Sequence, residues 1–123
     1  MSEIQPEIEA VVTDFVNRLE AHGIRVERVS LFGSHLKGTA DEWSDVDLIV
    51  ISEDFAHLDY WDLIDVLSDA ERQAFQATGK IVEAHAKTPE QVATCHPASF
   101  LADILKDAVI VYERAPARMS GSR

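Results

Sequence analysis

The chain of 123 residues carries 11 Lys and Arg against 22 Asp and Glu, which gives a formal net charge of −11. Its length fits a single domain, and a hydrophobic content of 46% is enough for a core, which argues against a disordered acidic chain. The shortage of Lys and Arg argues against a protein that binds nucleic acid through its phosphates.

The first helix and the first strand are indicated by two different periodicities. Apolar side chains recur every three or four residues near the N-terminus, which predicts an amphipathic helix built on Ile4, Ile8, Val11, Val12, Phe15 and Leu19. Gly23 stands where a helix C-cap glycine belongs. Residues 25–32 then alternate in character, which predicts a strand that stops at Gly33.

The middle of the chain predicts a strand and a long helix inside an acidic block. Residues 45–51 predict a strand, and residues 58–78 predict a helix that ends at Gly79. The side of this helix expected to face the core carries Trp61, Ile64, Leu67, Ala70 and Ala74. A second side of the helix is acidic and carries Asp59, Asp62, Asp65 and Asp69. We interpret this side either as a solvated face or as a docking surface for a basic partner. Between residues 41 and 71 there are 11 carboxylates and no Lys or Arg.

The C-terminal third predicts two further strands and two short helices. We expect strands over residues 80–86 and 108–113, a short helix that begins at Thr88-Pro89, and a helix over residues 99–106. Residues 1–113 therefore form one α/β (α+β) domain, and residues 114–123 form a disordered tail. The single cysteine, Cys95, excludes a disulfide framework and multi-cysteine zinc sites. The chain has neither a run of about 20 apolar residues nor a signal peptide, so we expect a cytoplasmic protein with no membrane partner.

A candidate phosphate-binding turn follows the first strand. Gly33 and Ser34 end that strand and open a short helical segment, where backbone N–H groups would point at an anion. Glycine lets a phosphate approach closely, and the Ser34 hydroxyl adds a donor. Lys37, about one helical turn further on, is a candidate counter-charge or an ordinary surface lysine.

A carboxylate pair opens the next predicted strand. Asp45 and Asp47 project from the same face because strand side chains alternate, and they repel each other unless a cation lies between them. Oxygen ligands without clustered Cys or His favour Mg²⁺ or Mn²⁺, and a phosphate cradle beside such a pair suits a nucleoside triphosphate. Glu83 is the best candidate for a third carboxylate, with which two ions can be bound; the alternative is a solvated strand residue. His85 shares the face of Glu83 and is a candidate to orient it.

Gly33-Ser34, ten further residues and then Asp45-Val46-Asp47 together resemble the signature of the DNA polymerase beta-type nucleotidyltransferase superfamily. The short chain resembles the minimal nucleotidyltransferase (MNT) branch, small proteins often paired with HEPN-domain partners in toxin–antitoxin modules. The resemblance covers roughly residues 26–113. It implies the nucleotidyltransferase fold, a mixed β-sheet of about four strands with helices packed on it.

The resemblance also implies a role for each matched residue. Gly33 and Ser34 would hold the triphosphate. Asp45 and Asp47 would bind two divalent ions, and Glu83 would be the third carboxylate, which activates the attacking hydroxyl. That hydroxyl would attack the α-phosphorus in line, and pyrophosphate would leave. The enzyme would thus be a nucleotidyltransferase.

The sequence departs from the family pattern at two positions. Many relatives have Arg where this chain has Lys37, which keeps the charge but loses bidentate phosphate geometry. The third carboxylate of the family is more often Asp than Glu, and Glu83 reaches one carbon further.

The acceptor that the resemblance implies is a hydroxyl on a HEPN-type toxin, which transfer of AMP from ATP would silence, so that the chain would act as an antitoxin. The acidic charge favours a protein acceptor, while a small-molecule hydroxyl stays open. A partner subunit or a homodimer would complete the site, because 123 residues leave little room for a substrate domain. Two non-catalytic alternatives remain, an antitoxin that binds its partner by occlusion and a nucleotide sensor. The carboxylate pair counts against both.

Overall fold

The computed structural model describes residues 5–33 and 45–114 of the chain. The elements within these ranges, in chain order, are α1 (Pro6–Ala21), β1 (Arg28–Phe32), β2 (Val46–Ile51), a 3-10 helix (Glu53–His57), α2 (Tyr60–Thr78), β3 (Val82–Lys87), α3 (Pro89–Thr94), α4 (Phe100–Asp107) and β4 (Val109–Glu113). No helix in the described ranges is long and apolar enough to cross a membrane.

The four strands form one mixed sheet in the order β3-β2-β1-β4. β1 pairs antiparallel with both β2 and β4, whereas β2 and β3 run parallel. A parallel pair needs a crossover connection, and the 3-10 helix together with α2 provides it. The predicted mixed sheet of four strands with helices packed on it is thus confirmed.

The hydrophobic core lies between one face of the sheet and helices α1 and α2. Strand alternation places Val46, Leu48 and Val50 of β2 in this core. Asp47 therefore projects from the opposite face. The predicted core residues of α1 are buried, apart from Ile4, which lies outside the described residues: they are Ile8, Val11, Val12, Phe15 and Leu19. Val16, outside the predicted set, is buried with them.

The orientation of α2 differs from the prediction. Ala70 and Ala74 are fully buried as expected, but Trp61 and Ile64 are 71% and 38% exposed. Leu63 and Val66 pack against the core beside Leu67 in their place. The reason is that α2 carries two apolar sides. The small side chains of Ala70 and Ala74 let one of these sides pack closely against α1 and the sheet, and the other side stays exposed.

The acidic side of α2 is exposed at Asp59, Asp62 and Asp65 and partly covered at Asp69. Asp59 is the N-cap, and its side chain accepts a hydrogen bond from the backbone N–H of Asp62 at 2.8 Å. Asp69 contacts His22 at 2.8 Å and pairs with Arg72. The hydrogen bond from His22 is the main reason why the pKa of Asp69 is lowered. This side of α2 therefore lies next to the end of α1.

Local signals at the ends of the elements are confirmed. Thr88 forms a capping box with Gln91 at the start of α3, and Ser99 caps α4. Gly79 ends α2 in the left-handed conformation, with φ of 77°. Arg114, which the sequence assigns to the tail, donates from Nε to the Val26 carbonyl at 3.0 Å. The rest of that tail lies outside the described residues.

Candidate functional site

Asp47 lies on β2 between two cross-strand neighbours. Its partner on antiparallel β1 is Phe32, and its partner on parallel β3 is Glu83. Paired residues project from the same face of a sheet, so the carboxylates of Asp47 and Glu83 lie side by side on the face away from the core. Strand pairing thus brings together two of the three carboxylates predicted from the sequence.

Asp45, the third carboxylate, directly precedes β2. It is two residues ahead of Asp47, and alternation places it on the same face. The next residue, Val46, donates its backbone N–H to the Ile81 carbonyl at 2.8 Å. This bond holds the start of β2 against the start of β3, so Asp45 enters the sheet beside the strand that carries Glu83.

The backbone and the surroundings of Gly33 both require glycine, apart from the predicted approach of a phosphate. Its φ is 85°, in the left-handed region that favours glycine. A Cβ built on Gly33 would overlap the Asp47 carboxylate and would lie 3.1 Å from its Cγ and 3.3 Å from its Cβ. The turn after β1 and the carboxylate on β2 therefore occupy adjoining space, which links two parts of the sequence motif physically.

His85 contacts an aromatic ring on the same face of the sheet. The rings of His85 and Phe32 have centroids 5.5 Å apart and a tilted arrangement. Phe32 lies in the same cross-strand row as Asp47 and Glu83, whereas His85 lies in the next row on that face, opposite Ile49. The ring contact fixes His85 against β1, and it gives the site one apolar wall.

Glu71 of α2 approaches the site from the edge of the sheet. Its Oε2 accepts the backbone N–H of Ala84 at 3.1 Å, directly next to Glu83 in the chain. Burial is the main cause that raises the pKa of the Glu71 carboxyl, and the negative charge of Glu83 raises it further. The Ala84 N–H and His85 oppose this shift. Three acidic side chains, those of Asp47, Glu83 and Glu71, thus lie at or beside one edge of the sheet.

The site residues are compatible with a divalent cation in their chemistry and their register. Asp47 and Glu83 offer hard oxygen donors in adjacent positions, as Mg²⁺ prefers, and Asp45 can add a third. Within residues 5–33 and 45–114 no group of three or more His, Cys, Asp or Glu side chains is arranged to hold a metal ion. Convergence of all three carboxylates on ions stays a prediction. Ser34 and Lys37 lie outside the described residues.

A groove of about 730 Å³ lies at the other end of the sheet from these carboxylates. It is lined by Ile51 at the end of β2, whereas Asp47 is near the start of that strand. Two of its three arginines are engaged by carboxylates: Arg28 pairs with Glu113 at 3.0 Å, and Arg114 pairs with Glu20. The groove is therefore separate from the candidate site.

Two features of the site could not be recognised in the sequence. The Glu71 contact joins a helix to a strand edge, and no local pattern signals which helix residue faces an edge N–H. The approach of Gly33 to Asp47 depends on the antiparallel register of β1 and β2, although the Gly-Ser and Asp-x-Asp spacing does signal that the two segments act together.

The family model of the nucleotidyltransferase domain matches residues 12–116. This range contains every element from within α1 to the end of β4 and all of the candidate site residues. The chain belongs to the nucleotidyltransferase domain family. No curated protein sequence matches it.

Solved structures with the same fold include proteins of toxin–antitoxin systems. A Sulfolobus solfataricus protein assigned to the nucleotidyltransferases is 18% identical with a TM-score of 0.58, over 86% of this chain and 80% of that one. A toxin–antitoxin structure with AMP-PNP is 17% identical with a TM-score of 0.59, over 86% of this chain and 73% of that one. A complex of the tri-AMPylated Shewanella oneidensis HEPN toxin with its MNT antitoxin is 14% identical with a TM-score of 0.52, over 86% and 72%. At these identities the likeness establishes the fold.

Proposed function

We propose that this chain is a Mg²⁺-dependent nucleotidyltransferase that moves AMP from ATP to a hydroxyl group of a HEPN-type toxin in the cytoplasm, and so acts as an antitoxin. The observation that carries the proposal is the strand register that aligns Asp47 with Glu83, with Gly33 packed against the Asp47 carboxylate. The match to the nucleotidyltransferase domain family supports the proposal, and positioning with charge neutralisation by such carboxylates suits transfer of a nucleotidyl group.

Two solved structures of the same fold support the choice of nucleotide and acceptor. One is a toxin–antitoxin complex with AMP-PNP, an ATP analogue. Another contains a tri-AMPylated HEPN toxin together with its MNT antitoxin. AMP transfer to a partner protein is therefore the reaction that best fits this fold and this carboxylate arrangement.

The residues of the site have separate tasks in the proposed reaction. Asp45, Asp47 and Glu83 would hold two divalent ions, which neutralise charge on the triphosphate and lower the pKa of the acceptor hydroxyl. Glu83 accepts the proton of the acceptor hydroxyl, and the oxygen of that hydroxyl bonds to the α-phosphorus. The bond between the α-phosphorus and the bridging oxygen of pyrophosphate breaks, and pyrophosphate leaves. Gly33 and Ser34 bind the triphosphate, and Lys37 adds a positive charge. Most of the rate comes from positioning and charge neutralisation.

The experiment that tests this function is a transfer assay with α-phosphate-labelled ATP, Mg²⁺, the purified chain and the product of the adjacent gene, which we expect to be a HEPN-type protein. We expect label on the partner protein, and we expect Asp47→Asn to lower the transfer rate at least 100-fold because one metal-binding charge is lost. Asp107→Asn, an exposed substitution at the end of α4, is the matched control and should keep the wild-type rate.

Two results would contradict the proposal. If label reaches neither the partner nor any other hydroxyl acceptor, the chain is not a transferase under these conditions of metal and nucleotide. If the double variant Asp45→Asn, Asp47→Asn neutralises the toxin as well as the wild type does, then occlusion rather than catalysis explains the antitoxin effect.

A further inference from the structure

Helix α2 exposes large apolar side chains that its own fold does not cover. Tyr60 is 66% exposed, Trp61 is 71% exposed, and Phe75 near the other end of the helix is 50% exposed. Ile64 lies between them at 38%. We call these four residues the outer face of α2. Large exposed apolar patches on a small domain usually mark an interaction surface.

The outer face is distinct from the side of α2 that builds the core. Leu63, Val66 and Leu67 pack against the core, and Ala70 is buried there. With 100° between successive residues, Trp61 points nearly opposite to Ala70, while Ile64 and Phe75 lie close to the same outward direction as each other. Stability of the domain therefore does not account for the apolar side chains of the outer face.

The two aromatic residues at the start of α2 form an ordered pair. The rings of Tyr60 and Trp61 meet edge to face, with centroids 5.0 Å apart and an interplanar angle of 78°. Such a pair offers a large area with little conformational freedom left to lose on binding. Aromatic residues of this kind often contribute most of the energy of an interface.

The outer face adjoins the edge of the sheet that carries the candidate site. Glu71 lies on the same flank of α2, and it binds the Ala84 N–H of edge strand β3. Ile81, just before β3, is 52% exposed, and its carbonyl accepts the N–H of Val46, the residue after Asp45. A partner that covers the outer face would thus reach the carboxylate site from the side.

The charge around the outer face selects the chemistry of the partner. Asp62 and Asp65 are exposed on the turns that carry Trp61 and Ile64, and residues 41–71 contain no Lys or Arg. A second copy of the chain, also with a net charge of −11, would be repelled. A partner with Lys and Arg beside its apolar residues would be attracted.

The contact of Glu71 also indicates the secondary structure of the partner. Its carboxylate occupies the Ala84 N–H of the β3 edge, which hinders the addition of a further strand there. The apolar side chains of the outer face instead follow the three- and four-residue spacing of a helix surface, which packs against another helix.

We propose that the outer face of α2 is the docking surface for an amphipathic helix of the protein acceptor, and that this helix carries Lys or Arg on both sides of its apolar stripe. The proposal rests on the proposed function for the identity of the partner, the HEPN-type protein. Docking there places the acceptor beside the edge of the sheet where Glu83 lies.

The test measures binding without nucleotide between the full chain and the HEPN-type protein encoded beside it, by titration calorimetry. The double variant Trp61→Ala, Ile64→Ala should raise Kd at least tenfold because the apolar centre of the interface is lost. Glu90→Ala, at an exposed position of α3, is the matched control and should stay within twofold of the wild type. Reversing charge with Asp62→Lys and Asp65→Lys should also weaken binding and reduce its dependence on salt.

A second measurement does not depend on the stability of these variants. A photo-crosslinking amino acid at position 61 should join the partner at a helix with a basic flank, and the same group at position 90 on α3 should not. Normal Kd for the folded double variant, crosslinks from position 90 alone, or no binding by the wild type would each overturn the proposal. The proposal would also be overturned if the double variant lost a homodimer of this chain and still bound the partner normally.

The two proposals can fail separately. If the complex forms through the outer face but α-phosphate label is never transferred, the docking surface stands and the proposed reaction is wrong. If label is transferred while the double variant binds normally, the reaction stands and the docking surface is wrong. Asp47→Asn should abolish transfer without changing Kd for the partner.

Discussion

At the scale of single residues, the closest link between the two halves of the sequence motif is the packing of Gly33 against Asp47. The left-handed backbone at Gly33 and the space taken by the Asp47 carboxylate both exclude a side chain there. A glycine that the sequence assigns to phosphate binding therefore also positions a carboxylate. These two roles can be separated by substitution.

Gly33→Ala should lower the free energy of unfolding by about 1–2 kcal/mol because alanine is strained in the left-handed region. It should also lower AMP transfer at least tenfold, since the new methyl group displaces the Asp47 carboxylate. Denaturant unfolding and the transfer assay provide the two measurements.

The matched control is Gly23→Ala. Gly23 has nearly the same backbone angle, with φ of 87°, and open space where a Cβ would lie. We expect a similar loss of stability and an unchanged transfer rate. Equal losses of activity in both variants would show that strain alone, and not contact with Asp47, explains the effect.

Glu71 gives a prediction about pH. Its pKa is raised above the ordinary 4.5, mainly by burial, so the folded state holds its proton at pH values where the unfolded chain has released it. The contribution of Glu71 to stability is thus largest at low pH and is lost as pH rises through the raised pKa. Glu71→Gln keeps an oxygen that can accept the Ala84 N–H and has no charge to bury.

We therefore expect the stability of Glu71→Gln relative to the wild type to increase as pH rises from about 4.5 toward neutrality. Urea unfolding in chelator-treated buffer at several pH values measures this difference. Glu90→Gln, at an exposed position of α3, should show no such trend. A relative stability that stays constant or falls with pH would contradict the raised pKa.

At the scale of elements, α2 shows where sequence periodicity stops being sufficient. Its apolar residues follow two overlapping helical stripes, and each satisfies the spacing expected of a core face. Only tertiary packing decides between them: the stripe with Ala70 and Ala74 meets α1 and the sheet, and the stripe with Trp61 faces outward.

This assignment predicts unequal effects of two similar truncations on α2. Leu67→Ala should lower the free energy of unfolding by about 1–3 kcal/mol, because Leu67 packs against the core. Ile64→Ala should cost less than about 1 kcal/mol because that side chain is exposed. Thermal or urea unfolding of the two variants measures both losses of stability. A larger loss in Ile64→Ala than in Leu67→Ala would mean that Ile64 faces the core.

At the scale of the whole molecule, the sequence predicts most of the elements and less of their arrangement. Caps and glycines mark helix ends, as at Thr88 and Gly79, because these signals are local. The strand order β3-β2-β1-β4 and the pairing of Asp47 with Glu83 depend on contacts between distant segments. The predicted strand that follows α2 indicates Glu83 as the candidate third carboxylate, and the family resemblance adds its expected role.

The distribution of charge also takes on a different meaning at this scale. The acidic block between residues 41 and 71 supplies the site with Asp45 and Asp47, caps α2 with Asp59, and ties α2 to α1 through Asp69. Asp62 and Asp65 remain exposed next to the outer face of α2. In the proposed function, the carboxylates of this block are thus divided among metal binding, local structure and partner recognition.

The position of β3 at the edge of the sheet has a consequence for the durability of the site. Within the described residues, Asp47 is on an interior strand with a hydrogen-bonded neighbour on each side, whereas Glu83 is on a strand with a neighbour on one side only. Edge strands open at a lower free energy than interior ones, so the carboxylates are not equally persistent. A brief detachment of β3 would remove Glu83, the proposed proton acceptor, and would leave Asp45 and Asp47 in place. In that state the proposed site would hold nucleotide without transferring AMP.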